Sequence, residues 1–250
     1  MISLKSSHEL KAMQRAGRLS AQALRLGGSM VEPGVSTWEI DKAVHDFIVK
    51  NGAKPSFLNY GGFPASVCIS INNEVIHGIP SRDRIIHEGD IVSLDVGACL
   101  DGYNGDNAAT FPAGKVSEEA VRLMDVTRES LMRAIAVAKA GMRIGDIGYA
   151  VQSYVEAAGF AVVRKYIGHG VGLDLHEEPD VPNYGKPGRG VRLVPGMTIA
   201  IEPMVNAKGE DVRTRRDGSV VTTSGSLSAH FEHTVAITTS GCEILTLAEA

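Results

Sequence analysis

Gly89-Asp90-Ile91-Val92-Ser93-Leu94-Asp95 runs from a glycine through an apolar stretch to a carboxylate, and Gly196-Met197-Thr198-Ile199-Ala200-Ile201-Glu202 does the same later in the chain. Short apolar runs bounded by a turn residue read as buried strands. A carboxylate at the end of such a strand is disfavoured unless something pairs with it. Two such ends point to a cation site.

The likeness extends beyond these strands. An offset of 107 residues places Gly34 on Gly141, Ile40 on Ile147, Ala43 on Ala150, Val44 on Val151, Phe47 on Tyr154, Gly52 on Gly159 and Gly89 on Gly196. A repeat of this length is too large for a solenoid unit, whose period is roughly 20–50 residues. It predicts two related halves, about 1–110 and 111–250, packed about a pseudo-two-fold axis within a single domain spanning 1–250.

Composition supports a folded chain: of 250 residues, 44% are hydrophobic and 22% charged, which is ordinary globular usage. A net charge of -4 gives no electrostatic footprint for nucleic acid. The cluster Arg213, Arg215 and Arg216 reads as solvated surface. Cys68, Cys99 and Cys242 are scattered and lack CxxC spacing, which argues against a disulfide framework or a thiolate zinc site. Residues 1–11 lack the apolar core of a signal peptide, and no stretch reaches the eighteen or so apolar residues of a membrane span. The expected setting is cytoplasmic, with no membrane and no direct nucleic-acid recognition.

Periodicity predicts helices over about 8–27, from 36 or 37 to 50, over about 118–139 and over about 146–158. Strands are predicted over 67–71, 91–96, 161–163, 198–201 and 234–237. Each half thus carries a helix pair followed by sheet. Residues 168–190 are rich in Gly, Pro and Asp, which disfavours helix there, yet they carry His169 and His176.

Asp101-Gly102 between two extended stretches is a hairpin signal. If it forms a two-residue loop, Leu100 faces Tyr103, Gly97 faces Asp106, and Asp95 becomes the diagonal neighbour of Asp106 on one sheet face. Diagonal neighbours lie roughly 7 Å apart at the backbone, close enough for both carboxylates to reach one or two ions. Further on stand Gly168-His169-Gly170, Leu175-His176-Glu177-Glu178-Pro179, Ile201-Glu202-Pro203 and His230-Phe231-Glu232-His233-Thr234. Bringing Asp95, Asp106, Glu202 and Glu232 together without cations would raise their pKa values strongly. Two divalent ions would balance that charge. A carboxylate-rich set with one imidazole suits Mn, Fe(II), Co or Zn in a dinuclear site. His176 has no second histidine four residues on, which argues against a mononuclear zincin.

With these residues in place, the chain resembles the type I methionine aminopeptidases over nearly its whole length. The resemblance is carried by Val67-Cys68-Ile69-Ser70-Ile71-Asn72, His77-Gly78-Ile79-Pro80, Gly168-His169-Gly170-Val171-Gly172, His176-Glu177-Glu178-Pro179, Pro195-Gly196-Met197-Thr198, Ile201-Glu202-Pro203-Met204 and Phe231-Glu232-His233-Thr234. It implies an α+β pita-bread fold: a curved antiparallel sheet backed by two helix pairs, with an internal duplication. The metal pattern it implies falls on Asp95, Asp106, His169, Glu202 and Glu232, with Asp106 and Glu232 bridging two ions.

The implied reaction is metal-assisted hydrolysis of the first peptide bond, with a metal holding the substrate's free amine. Glu202 is the implied general base, His176 the partner of the substrate carbonyl or tetrahedral species, and His77 the partner of the second residue's nitrogen. Tyr60, Phe63 and Cys68 fall on positions lining a methionine pocket. Asn72, Ser228 and the backbone of Glu74 match a structural Na or K site. The implied substrate is the initiator methionine of nascent polypeptides with a small second residue, and the implied setting is a monomer in transient association with ribosomes. The pattern departs at Leu175, where an aromatic is common, at Phe57, which replaces a smaller residue, and at Asp217-Gly218-Ser219, which lacks an aromatic. The competing readings are a related X-Pro aminopeptidase or creatinase-like enzyme, for which the roughly thirty residues before Pro33 leave no N-terminal domain, and a non-enzymatic binding module, in which ligands are generally lost.

Overall fold

The computed structural model describes residues 1–248. In chain order the elements are α1 (Ser7–Gly28), α2 (Thr37–Lys50), β1 (Lys54–Pro55), β2 (Val67–Ile71), β3 (Glu74–Ile76), β4 (Ile91–Leu100), β5 (Tyr103–Pro112), α3 (Glu118–Val137), α4 (Ile144–Ala157), β6 (Ala161–Val162), β7 (Gly168–Gly170), β8 (Glu177–Val181), β9 (Thr198–Ile201), β10 (Met204–Asn206), β11 (Val212–Thr214), β12 (Val220–Thr222), β13 (Ser228–His230), β14 (Glu232–Ile237) and β15 (Cys242–Ile244). Capping boxes open the first helix pair: Ser6 and Ser36 exchange hydrogen bonds with Glu9 and Glu39, three residues on.

The main sheet is antiparallel and curled, in the order β1-β4-β5-β14-β9-β7-β8, with β2 beside β4 and β15 beside β14. Alternation along the strands gives its faces opposite characters. Val92, Leu94 and Val96 of β4 pack with Leu24, Ile40, Val44 and Ile48 from the first helix pair. Ile199 and Ile201 of β9 and Val235 and Ile237 of β14 pack with Leu131, Ile135, Ile147 and Val151 from the second. Asp95 alternates with Leu94 and Val96, and so lies on the face turned away from the helices. The helix pairs thus fix which face the carboxylates occupy.

The 107-residue offset recurs in the backbone. It carries α2 onto α4 and β1 onto β6, residue for residue at both ends. Gly34, Gly52 and Gly89 have φ of 95°, 77° and 91°, and their counterparts Gly141, Gly159 and Gly196 have 93°, 83° and 93°. The isolated bridge Ser36–Ile85 is repeated as Arg143–Arg192. The Gly34 N–H donates to the Ile86 carbonyl at 2.8 Å, and that of Gly141 to the Leu193 carbonyl at 2.9 Å.

Two predicted strands prove longer than their apolar runs. β4 continues to Leu100 and β14 begins at Glu232, because β5 supplies hydrogen-bond partners to both. α3 stops at Val137, two residues before the predicted end, since Ala138 leaves helical conformation at ψ 78°.

α1 crosses β5 with backbone nearly touching backbone. A Cβ on Gly105 would stand 2.4 Å from the Gly17 Cα, and one on Gly17 would stand 2.5 Å from the Leu245 carbonyl oxygen. This packing lies one residue from Asp106. Ala normally stabilises a helix interior over Gly by about 1 kcal/mol, but here its methyl would collide with the Leu245 backbone that follows β15. Gly17→Ala is therefore expected to lower the melting temperature by about 3–10 °C, from about 1–3 kcal/mol of overpacking in a chain of this size; an unchanged or raised melting temperature in a thermal scan would contradict this packing.

Candidate metal centre

Each of five neighbouring strands delivers one side chain to the same place. Asp95 lies on β4, Asp106 on β5, Glu232 at the start of β14 and His169 in β7, while Glu202 directly follows β9. The β4–β5 register is set by Asp101 and Gly102, both at positive φ (53° and 87°), the signature of a type I′ turn. It pairs Leu100 with Tyr103, Gly97 with Asp106 and Asp95 with Ala108, as the Asp-Gly signal predicts. Ala108 pairs on its other side with Glu232. His233 pairs with Ile201, so the next position along brings Glu202 opposite Glu232. The acids form one row across the sheet.

Atoms of Asp106, His169 and Glu232 that can bind a cation lie within 4.8 Å of one another. His169 Nδ1 is 2.8 Å from the Gly170 carbonyl oxygen and donates to it. Its Nε2 lone pair then faces the acids, 3.8 Å from Asp106 Oδ2 and 3.6 Å from Glu202 Oε1. Asp95 Oδ1, Asp106 Oδ1 and Glu232 Oε1 are buried without a hydrogen-bond partner. Buried carboxylate oxygens are ordinarily satisfied. Orphaned oxygens beside an imidazole whose free nitrogen points at them are a donor set that fits divalent cations.

Electrostatics leads to the same conclusion. Burial, then the neighbouring Asp106 charge, pushes Asp95 well above the usual carboxylate range. Burial raises Asp106 to about 7, against the pull of a backbone hydrogen bond from Asn107. Burial and the other acids push Glu202 and Glu232 well up. Burial, followed by the nearby His176, lowers His169 to about 4 and keeps it a neutral donor. A cation would reverse the direction of these carboxylate shifts.

A cavity of about 400 Å³ opens onto this row. Tyr60, Phe63 and Cys68 line it, together with Phe57, Pro64, Ile76 and Leu175. The departures at Phe57 and Leu175 thus form part of the wall, packed with Cys68 and Phe63. Asp217 and Gly218 also line it, where no aromatic side chain intrudes. Burial raises the Cys68 thiol well above its usual value, so it acts as a neutral apolar group.

His77 and His176 lie at the same cavity. The His176 ring stands 4.0 Å from that of His169, and its Nδ1 is 2.8 Å from the Tyr60 hydroxyl. His77 has φ 59°, and its turn is pinned to β2: the Ile69 N–H donates to the Gly78 carbonyl at 2.8 Å, and the Gly78 N–H to Ser70 Oγ at 3.2 Å. A Cβ at Gly78 would lie 2.1 Å from the Ile69 carbonyl oxygen, so the His77-Gly78 pair requires its glycine. Left-handed strain of this kind is often held at functional positions.

Two features escape the sequence reading. Tyr60 is more than wall, since it holds His176. His230 is fully buried with Nε2 unpartnered, 3.7 Å from Glu202 Oε2. Its proximity in sequence to Glu232 is the only available signal, because β13 belongs to a separate sheet with β10 and β6.

Asn72 and Ser228 lie side by side, with the Ser228 N–H donating to the Asn72 carbonyl at 2.8 Å. Asn72 Nδ2 donates to Asp90 and Ser228 Oγ to Asn206 Oδ1. The Glu74 carboxylate pairs with Arg84 and with Arg215, tying β3 to the segment after β11.

Comparison with known proteins accords with this geometry. A methionine aminopeptidase of Clostridium acetobutylicum is 52% identical over 250 residues, covering 100% of both chains. A crystal structure of a methionine aminopeptidase from Rickettsia prowazekii is similar at a TM-score of 0.97 and 43% identity, covering 99% of this chain and 100% of that one. One from Thermotoga maritima is similar at a TM-score of 0.97 and 46% identity, covering 100% of both. Residues 11–239 match metallopeptidase family M24. The metal-fitting row of acids and the curled sheet that holds it are thus those of a metal-dependent hydrolase, and the chain belongs to metallopeptidase family M24.

Proposed function

We propose that the chain removes the N-terminal methionine from nascent polypeptides whose second residue is small. The observation that carries this reading is the apolar cavity that ends on the carboxylate row: an unbranched thioether fits its Phe57, Phe63, Cys68 and Leu175 wall, while the acids meet the adjoining amine and peptide bond. Asp95, Asp106, His169, Glu202 and Glu232 would hold two divalent ions, drawn from Mn, Fe(II), Co or Zn. When bound, such ions acidify water and stabilise negative charge on oxygen.

Glu202, directly after β9 and facing the cavity, accepts the proton of the attacking water and passes it to the leaving amine. With His176 Nδ1 accepting from the Tyr60 hydroxyl, its Nε2–H is free to donate to the carbonyl oxygen as charge develops there. His77, kept neutral by burial and by His176, contacts the nitrogen of the second residue. Asn72, Ser228 and the Glu74 backbone would complete a structural Na or K site. We take the protein as a cytoplasmic monomer, one catalytic domain of two related halves, meeting its substrates in transient contact with ribosomes. No helix among the described residues is long and apolar enough to cross a membrane.

Hydrolysis of Met-Ala-Ser but not of X-Pro peptides, with Met-Gly cleaved faster than Met-Leu, is the expected assay pattern; preference for X-Pro would assign the chain to the prolidase-like reading. Glu202→Gln should lower kcat by about 10²–10⁴-fold, the usual worth of general acid–base catalysis, and a fall below tenfold would remove Glu202 from that role. Raised carboxylate pKa values mean that the metal-free site retains protons near pH 7, so cation binding must expel them. Calorimetric metal titration in buffers of different ionisation enthalpy should therefore show net proton release and an affinity that rises with pH; no proton release would contradict the electrostatics.

A further inference from the structure

Next to His176 in the chain stands Glu177, an acid with no part in the proposed reaction. Glu177 forms an ion pair with Lys5, whose side chain is only 2% exposed, in the segment preceding α1. The other oxygen of Glu177 accepts from the Asp174 N–H at 3.3 Å. The loop wraps closely round the pair: a Cβ on Gly172 would stand 2.4 Å from Glu177 Oε1 and 2.6 Å from Lys5 Nζ. On its far side, Asn104 Nδ2 donates to the carbonyls of Gly172 and Leu173 at 3.1 and 3.0 Å. The Lys5 N–H donates to the Gly196 carbonyl at 2.7 Å, in the turn that leads into β9 and Glu202.

We propose that Lys5 is a positioning residue, whose buried ion pair with Glu177 sets the place of His176 relative to Glu202. A buried ion pair adds little to stability over an apolar pair of the same volume, and in some proteins it is kept because it selects one arrangement. Here it joins the loop carrying His176 to the turn feeding Glu202. Loss of Lys5 frees the loop between Gly172 and Glu177, and a displacement of about 1 Å at a reacting group can lower the rate by about 10²-fold. The inference rests on the role given above to His176, so its test separates the two.

The test is a double-mutant cycle with Met-Ala-Ser on metal-loaded protein. Lys5→Met should lower kcat about 10–100-fold with KM little changed. Lys5→Met/Glu177→Gln, which leaves no unpaired buried charge, should keep the fold and show the same kcat loss. In a His176→Ala background, Lys5→Met should cause no further loss. Equal loss in both backgrounds, or kcat within twofold of the parent in both Lys5 variants, overturns the proposal. If His176→Ala itself leaves kcat unchanged, the catalytic role of His176 fails instead. The imidazole ¹⁵N shifts of His176 in zinc-loaded Lys5→Met/Glu177→Gln then decide positioning: changed shifts support it, and unchanged shifts overturn it.

Discussion

The structure depends on the mutual repulsion of buried acids, which without cations forces protons onto them. Four carboxylates lie along one face of adjoining strands, three of them with a buried oxygen that has no hydrogen-bond partner. The nearest imidazole nitrogens, on His169 and His230, belong to rings that burial keeps neutral. Arginines elsewhere, such as Arg84 and Arg215, are spent on Glu74. Divalent cations are the counter-charge that this arrangement accommodates, and the same cations make it chemically useful.

The scaffold answers that repulsion with rigidity. Two helix pairs pack against alternate residues of the strands, so each acid is fixed to one face by the burial of its neighbours. The backbone repeats at an offset of 107 residues down to single bridges and glycine dihedrals. The proposed ligands follow that symmetry only at Asp95 and Glu202; the offset carries Asp106 to Arg213 and His169 back to Gly62. A symmetric frame therefore holds an asymmetric site, in which related positions can take different roles.

Much of this was legible in the chain. The Asp101-Gly102 turn set the register that aligns Asp95 and Asp106, because an I′ turn of two residues leaves no freedom in strand pairing. Strand–glycine–carboxylate endings located Asp95 and Glu202 from the unfavourable burial of charge alone. Resemblance was needed to choose His169, His176 and His77 among eight histidines, since they lie in turns and short strands with no periodicity. Contacts between distant segments were not legible at all. Lys5 with Glu177, Tyr60 with His176 and His230 with Glu202 are separated by 172, 116 and 28 positions, and only the folded sheet brings them together.

The central claim, that cations relieve the mutual repulsion of these acids, is tested most directly by thermal unfolding of stripped protein with and without Mn, in the parent chain and in Asp106→Asn. The account predicts a rise of several degrees on adding saturating Mn to the parent, since a ligand at 100 times its Kd adds about 2.7 kcal/mol of stability, and a smaller rise in the variant. A melting temperature indifferent to divalent metal, or an equal rise in both proteins, would contradict it.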